Sequence, residues 1–181
     1  MKYRLLSFCM AVLLLISMIS VPRIEAANST ETFKDSADTK IVKLLEALGL
    51  MEIDSETGFF WDEMPVKRSE LAKIICKMFN ISETKDASPH FTDVSDYDRA
   101  YIETAIRNGY MSGYDNEKFG PDDYVTNIQL IKTFVTALGG DAAAQSQGGY
   151  PGGYITIGNM LGLLKGKAVA NENISHRIDV A

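Results

Sequence analysis

Arg68 and Arg177 stand just inside two segments that read as helix starts, Val66-Lys67-Arg68-Ser69-Glu70 and Ser175-His176-Arg177-Ile178-Asp179. A helix start leaves backbone N–H groups without intrahelical partners and carries a partial positive charge, which makes it receptive to anions. A planar guanidinium at that place can grip a carboxylate through two hydrogen bonds. Between them, Thr126-x-x-Gln129 has the form of a capping box. Arg68 lies eight residues past Phe60, and Asn127 lies eight past Phe119. Phe59, Trp61 and Tyr124 stand beside these helix starts. The chemistry on offer is noncovalent capture of an acidic ligand.

Catalytic and metal chemistry find less support. Asp54-Ser55-Glu56-Thr57-Gly58 resembles a calcium loop, but its glycine comes one place early and Pro65 stands where the closing glutamate belongs. His90 and His176 are far apart and have no metal-ligand spacing around them. No phosphate-cradling glycine loop, nucleophile elbow or zinc motif is present. The expectation is a chain without catalysis, cofactor or metal.

The elements that must position these residues repeat. Phe33-Lys34-Asp35-Ser36 returns as Phe91-Thr92-Asp93-Val94. Each is followed by a helical stripe (Ile41, Leu44, Leu45, Leu48; then Ile102, Ala105, Ile106) that ends at Gly49 or Gly109. A loop with an aromatic comes next, and then a second stripe: Leu71, Ile74, Ile75, Met78 and Phe79, or Leu130, Ile131, Phe134, Val135 and Leu138. The period is 58 to 60 residues, from Phe33 to Phe91 and from Gly49 to Gly109. Copies are expected at 33–81 and 91–139, a small-residue linker at 140–149, and a truncated third copy at 150–181. One helix pair cannot bury its own apolar face, so the fold expected is all-α, with two to three helix-loop-helix units in a partly incomplete pseudo-threefold bundle. Phe60 and Phe119 are expected in its core. Asp35 and Asp93 are expected as helix caps or loop-holding acceptors, and Trp61 fits either core or ligand contact.

Residues 1–26 read as a secretory signal peptide, with Lys2 and Arg4 ahead of an apolar run from Leu5 to about Val21 and Ile24-Glu25-Ala26 at the cut. Cys9 precedes the centre of that run, where a lipoprotein cysteine would follow it. The whole chain has 181 residues and a net charge of −6; loss of Lys2, Arg4, Arg23 and Glu25 leaves −8. Such acidity argues against nonspecific nucleic-acid binding. Cys76 alone remains, so the exported chain is held together by its core.

The motifs resemble those of the S-layer homology domains of bacterial surface proteins. The second copy is closest, with Phe91-Thr92-Asp93-Val94, Gly109-Tyr110-Met111-Ser112-Gly113, Phe119-Gly120-Pro121 and Val125-Thr126-Asn127-Ile128-Gln129. The first supplies Gly58-Phe59-Phe60 and Val66-Lys67-Arg68-Ser69-Glu70, and the third Gly152-Gly153-Tyr154 and Arg177-Ile178-Asp179. The resemblance implies an exported anchor that binds an acidic, often pyruvylated, secondary cell-wall polysaccharide or peptidoglycan. It implies residence in the cell wall or S-layer, no membrane contact after signal cleavage, and other S-layer subunits as further partners. Carried over by position, the polymer contacts are Arg68, Arg177 and Asn127, with Trp61 beside the cap and Tyr101 at the place of a family tryptophan. Asp35, Asp93, Glu70, Thr126 and Gln129 fall on structural motif positions. Two other readings remain: an assembly module without polymer binding, or the tether of a larger cell-surface hydrolase.

Overall fold

The computed structural model describes residues 39–82, 91–164 and 172–181; the signal-peptide segment, Phe33, Asp35 and His90 lie outside them. Among the described residues there are seven helices and no strand. They are α1 Thr39–Ala47, α2 Arg68–Met78, α3 Asp96–Arg107, α4 Asn127–Ala137, α5 Asp141–Ser146, α6 Gly152–Met160 and α7 Arg177–Val180. The expected stripes face inward in part: Leu45 in α1, Leu71, Ile74 and Ile75 in α2 and Leu130, Ile131 and Val135 in α4 are buried, joined by Ile128. Leu44, Leu48, Met78 and Leu138, toward the edges of the stripes, are exposed. Ser95 caps α3 by accepting from the Asp98 N–H at 3.2 Å. Gly49 (φ +63) and Gly109 (φ +74) take the left-handed conformation that closes the first helix of each copy.

The units are joined at a pseudo-threefold axis. Val66 donates its N–H to Ser175 O at 2.9 Å, Ser175 to Val125 O at 2.8 Å, and Val125 to Val66 O at 2.9 Å. The three hydrogen bonds close a ring, and its members are 0%, 1% and 0% exposed in chain order. Each lies two residues before the start of α2, α4 or α7. Around the axis, the second helix of one copy packs on the first helix of the next, α2 on α3 and α4 on α6. Each junction has its own apolar cluster. Leu71, Ile75, Ile102 and Phe119 fill the first, Ile128, Ile131, Tyr154 and Ile157 the second, and Val42, Leu45, Phe60 and Ile74 the third, with Val180 and Ala181 packed against that last one. This is the expected all-α pseudo-threefold arrangement, with α7 extending four residues.

One segment departs from its reading as a linker. Within 140–149 the chain forms α5, which packs on α6. Ala144 is fully buried, and the Tyr154 hydroxyl donates to the Asp141 carboxylate and accepts from Gln145 Nε2 at 3.2 Å. The small residues that suggest a flexible tether serve a close helix crossing instead, and the alanines are strong helix formers. At Gly153 an added Cβ would sit 2.0 Å from Ala144 O.

Gly153→Ala should therefore lower stability by about 1–3 kcal/mol through overpacking, read as a lower melting temperature. Gly152→Ala, where an added Cβ meets nothing within 4 Å, should leave the melt nearly unchanged. Equal melts for the two variants would refute the close crossing.

Candidate functional site

The helix starts are not open to solvent anions in the way their sequence suggests. Arg68 N–H donates to Asp123 O at 2.9 Å and Ser69 N–H to Pro121 O at 3.0 Å. Arg177 N–H donates to Met64 O at 2.9 Å, Ile178 N–H to Asp62 O at 3.1 Å, and Asn127 N–H to Asn173 O at 2.8 Å. The loop of the next copy caps each helix with its own carbonyls, because the ring at the axis brings those carbonyls over the helix start. The positive end of each helix is answered within the fold.

The two arginines turn inward on the same plan. Arg68 is buried and donates from Nε to Phe119 O at 3.1 Å and from Nη2 to Ser112 O at 2.7 Å. Its guanidinium lies 4.5 Å from the centre of the Phe119 ring and 4.8 Å from that of Tyr114. Arg177, also buried, donates from Nε to Phe60 O at 2.8 Å and from Nη2 to Glu52 O at 2.5 Å, over the Phe60 ring at 4.6 Å. Phe60 and Phe119 are thus core residues, as expected, whose carbonyls also hold the arginines. Burial lowers the pKa of Arg68 from its ordinary value, opposed by nearby Tyr114, Asp123 and Asp93.

What differs between the two junctions is countercharge. Beside Arg177, Glu70 Oε1 accepts from Nη1 at 2.7 Å, and Lys73 Nζ donates to Glu52 Oε1 at 2.9 Å. Burial pushes the Glu70 carboxyl up, against the pull of Arg177 and the Lys67 amide. Hydrogen bonding from Lys73 holds Glu52 down. Beside Arg68 the same positions carry Ser112, Gln129 and Lys132 in place of Glu52, Glu70 and Lys73. Neither Arg68 nor Lys132 enters an ion pair among the described residues. Together with Thr133 and Tyr150 they line a groove of about 230 Å³ whose walls carry no carboxylate. The arrangement can hold an anion by charge and surround it with an amide, hydroxyls and tyrosine rings.

The remaining expected residues are dispersed. Thr126 and Gln129 form the capping box, Gln129 Oε1 accepting from Thr126 N–H at 3.0 Å. Asn127 Oδ1 accepts from the Ser175 hydroxyl at 2.7 Å, which directs it toward the axis. Trp61 is 42% exposed at φ +58, stands where the second copy has Gly120, and tilts against Phe59 at 4.9 Å between ring centres. It lines none of the Arg68 groove. Tyr101 packs against the first apolar cluster and borders a separate depression with Leu48, Lys77 and Asn80. Asp93 is a loop-holding acceptor, taking the Phe119 N–H at 3.0 Å and the Gly120 N–H at 2.8 Å; Asp35 lies outside the described residues. Lys132, Ser112 and Tyr150 were not singled out by the sequence. Lys132 had a detectable signal, since Lys73 precedes it by one 59-residue interval, the interval between Arg68 and Asn127. Tyr150 had none.

Residues 90–130 match the model of the S-layer homology domain. The chain is 28% identical over 152 residues to a surface layer protein of Brevibacillus choshinensis, an alignment covering 80% of this chain and 13% of that protein. It is 26% identical over 161 residues to a middle cell wall protein of Brevibacillus brevis, covering 86% of this chain and 15% of that protein. The chain thus spans a small fraction of the length of the relatives it matches. The resemblance carried by the repeated motifs holds for the second copy.

Arg177→Ala strips a partly buried carboxylate of its partner and should cost on the order of 3 kcal/mol, read as a lower denaturant midpoint. An unchanged midpoint would make the Glu70 pair incidental. Asp93 carries a pH signature. Burial pushes its carboxyl up, but the Phe119 and Gly120 amides outweigh that and hold it below its ordinary 3.8. Its contribution to stability is present above 3.8 and lost as pH falls through the lower folded value. Asp93→Asn should melt earlier than the parent at pH 7, and the gap should narrow below pH 3.8; a gap constant with pH would exclude the carboxylate as its source.

Proposed function

We propose that this chain, which carries an S-layer homology domain at residues 90–130, anchors an exported protein to the bacterial cell wall by binding an acidic secondary polysaccharide in the Arg68 groove. The observation behind this reading is a groove that holds two cations and has no acid on its walls. On one scaffold, Glu70 and Glu52 form ion pairs with Arg177 and Lys73, whereas Gln129 and Ser112 stand in their places beside Arg68 and Lys132, and Asp123 and Asp93 act on Arg68 only from outside the groove. Arg68 is held rigid by Phe119 O and Ser112 O, and Lys132 stands exposed at the rim. A fixed guanidinium and an exposed ammonium lining one cavity suit a charged group on a flexible chain. Binding requires no covalent step, and the groove offers no nucleophile paired with a base. Arg177 serves on this reading as a structural tie rather than a polymer contact. The cell-wall and surface-layer names of the relatives agree with residence at the cell surface.

The test uses sacculi of Brevibacillus brevis, before and after acid extraction of the secondary polymer. The chain should bind the intact sacculi and lose binding on extraction. Lys132→Ala should weaken binding by about 1.5–3 kcal/mol, the range for hydrogen bonds to charged groups, with the helical CD signal intact. Gln129→Glu, which places in this groove the carboxylate that Glu70 supplies at the other junction, should weaken it comparably while keeping the capping bond to Thr126. Parental binding by both variants would overturn the assignment of the groove.

A further inference from the structure

We infer that Tyr150 is the specificity residue of the Arg68 groove, its ring forming the platform on which a pyranose ring of the polymer lies while Arg68 and Lys132 take that sugar's carboxylate. This rests on the reading of the groove as a polymer site and adds to it the residue that seats a sugar ring. The argument begins with where the segment after α4 runs. It forms α5 and turns back into α6 through Gly149-Tyr150-Pro151, and that turn delivers Tyr150 to a groove otherwise built from α2, α4 and the loop after α3. The turn is held from below. Tyr154 is 1% exposed, with its hydroxyl bonded to Asp141 and Gln145, and it meets the Tyr150 ring edge-on at 6.3 Å between centres. The close crossing at Gly153 and Ala144 fixes α6 against α5.

Tyr150 is nevertheless 54% exposed, with the Lys132 ammonium over its ring, 6.0 Å from the centre. A large aromatic surface kept in water by a buried support, beside two cations and the polar groups of Gln129, Thr133 and Ser112, matches a ligand with one apolar ring face, several hydroxyls and one negative charge. Trp61, the aromatic nearest in the sequence to an arginine motif, lines none of this groove.

The experiment titrates the full chain and its variants with acid-extracted, peptide-free polymer from Brevibacillus brevis walls, by calorimetry. Tyr150→Ala and Tyr150→Leu should each weaken binding at least fivefold, Tyr150→Phe should stay within twofold, and all three should melt within a few degrees of the parent. Lys132→Ala, measured alongside, tests the groove itself. Tyr150→Ala unchanged while Lys132→Ala binds weakly would overturn the platform and leave the groove standing. Both unchanged would overturn both. Tyr150→Phe as weak as Tyr150→Ala would mean that the hydroxyl, not the ring face, makes the contact, and would also overturn it. Should the alanine variant melt early, the Leu and Phe variants decide the matter.

Discussion

Three backbone hydrogen bonds in a closed ring, from Val66 to Ser175 to Val125 and back to Val66, set the geometry on which everything else depends. Each of these residues is buried, so each amide and carbonyl at the axis must find a partner there or forfeit its hydration. A one-residue slip in any strand-like segment would orphan these groups and carry the helix start behind it out of place. The ring therefore fixes where α2, α4 and α7 begin. It also brings the Asp123, Asn173 and Met64 carbonyls over those starts, so the capping of one copy is supplied by the next. The junction between the second and third copies shows the same constraint adapting. Ser175 stands where the other copies have valine, and its buried hydroxyl is answered by Asn127, which stands where they have arginine.

With the backbone fixed, the character of a junction is decided by very few side chains. Arg68 and Arg177 make matching bonds to carbonyls at matching positions, over matching phenylalanines. Their surroundings differ chiefly at two acids, Glu70 and Glu52, replaced by Gln129 and Ser112. Where the acids are present, the arginine and lysine are satisfied within the fold, and the junction is a tie between copies. Where they are absent, the same two cations face a cavity. Gln129 keeps the helix-capping bond that the fold needs while giving up the charge. The substitution that looks like a lost motif glutamate is the one that frees the groove.

Much of this fold was legible in the sequence, for physical reasons. The helical stripes, the left-handed Gly49 and Gly109, and the Thr126–Gln129 capping box are local features, readable within a few residues. The period is a property of the whole chain and survives divergence at single sites. The ring at the axis was not legible, because each copy contributes only a short extended segment with no alternation to detect. Nor was the direction of the arginines. A first-turn arginine reads as surface unless one knows that the Phe119 and Ser112 carbonyls of another copy lie within its reach. Segment 140–149 misled because small residues mark both flexible chain and close helix contact, and only the distance from Gly153 to Ala144 separates the two. Trp61 shows the same limit: nothing local announces that its backbone adopts the left-handed conformation that Gly120 adopts in the second copy.

The proposal that an acidic chain binds an acidic polymer poses an apparent contradiction, and distance resolves it. Net charge acts across the whole molecule, but at physiological ionic strength exposed charges are screened beyond about 8 Å. Contact within a partly buried cavity acts at short range, where the bare Coulomb attraction of two opposite charges about 4 Å apart is about 4 kcal/mol at an effective dielectric near 20, before desolvation is counted. A ligand carboxylate seated between Arg68 and Lys132 is in the second regime, and the groove walls present it with no acid. Acids on other surfaces, such as Asp122, which is paired with Lys67 at 2.7 Å, belong to the first. The same partition explains why the arginine is buried and the lysine exposed. Phe119 O and Ser112 O keep the guanidinium in place at no cost in charge, since carbonyls orient it without neutralising it. A carboxylate there would have oriented it equally well and closed the site.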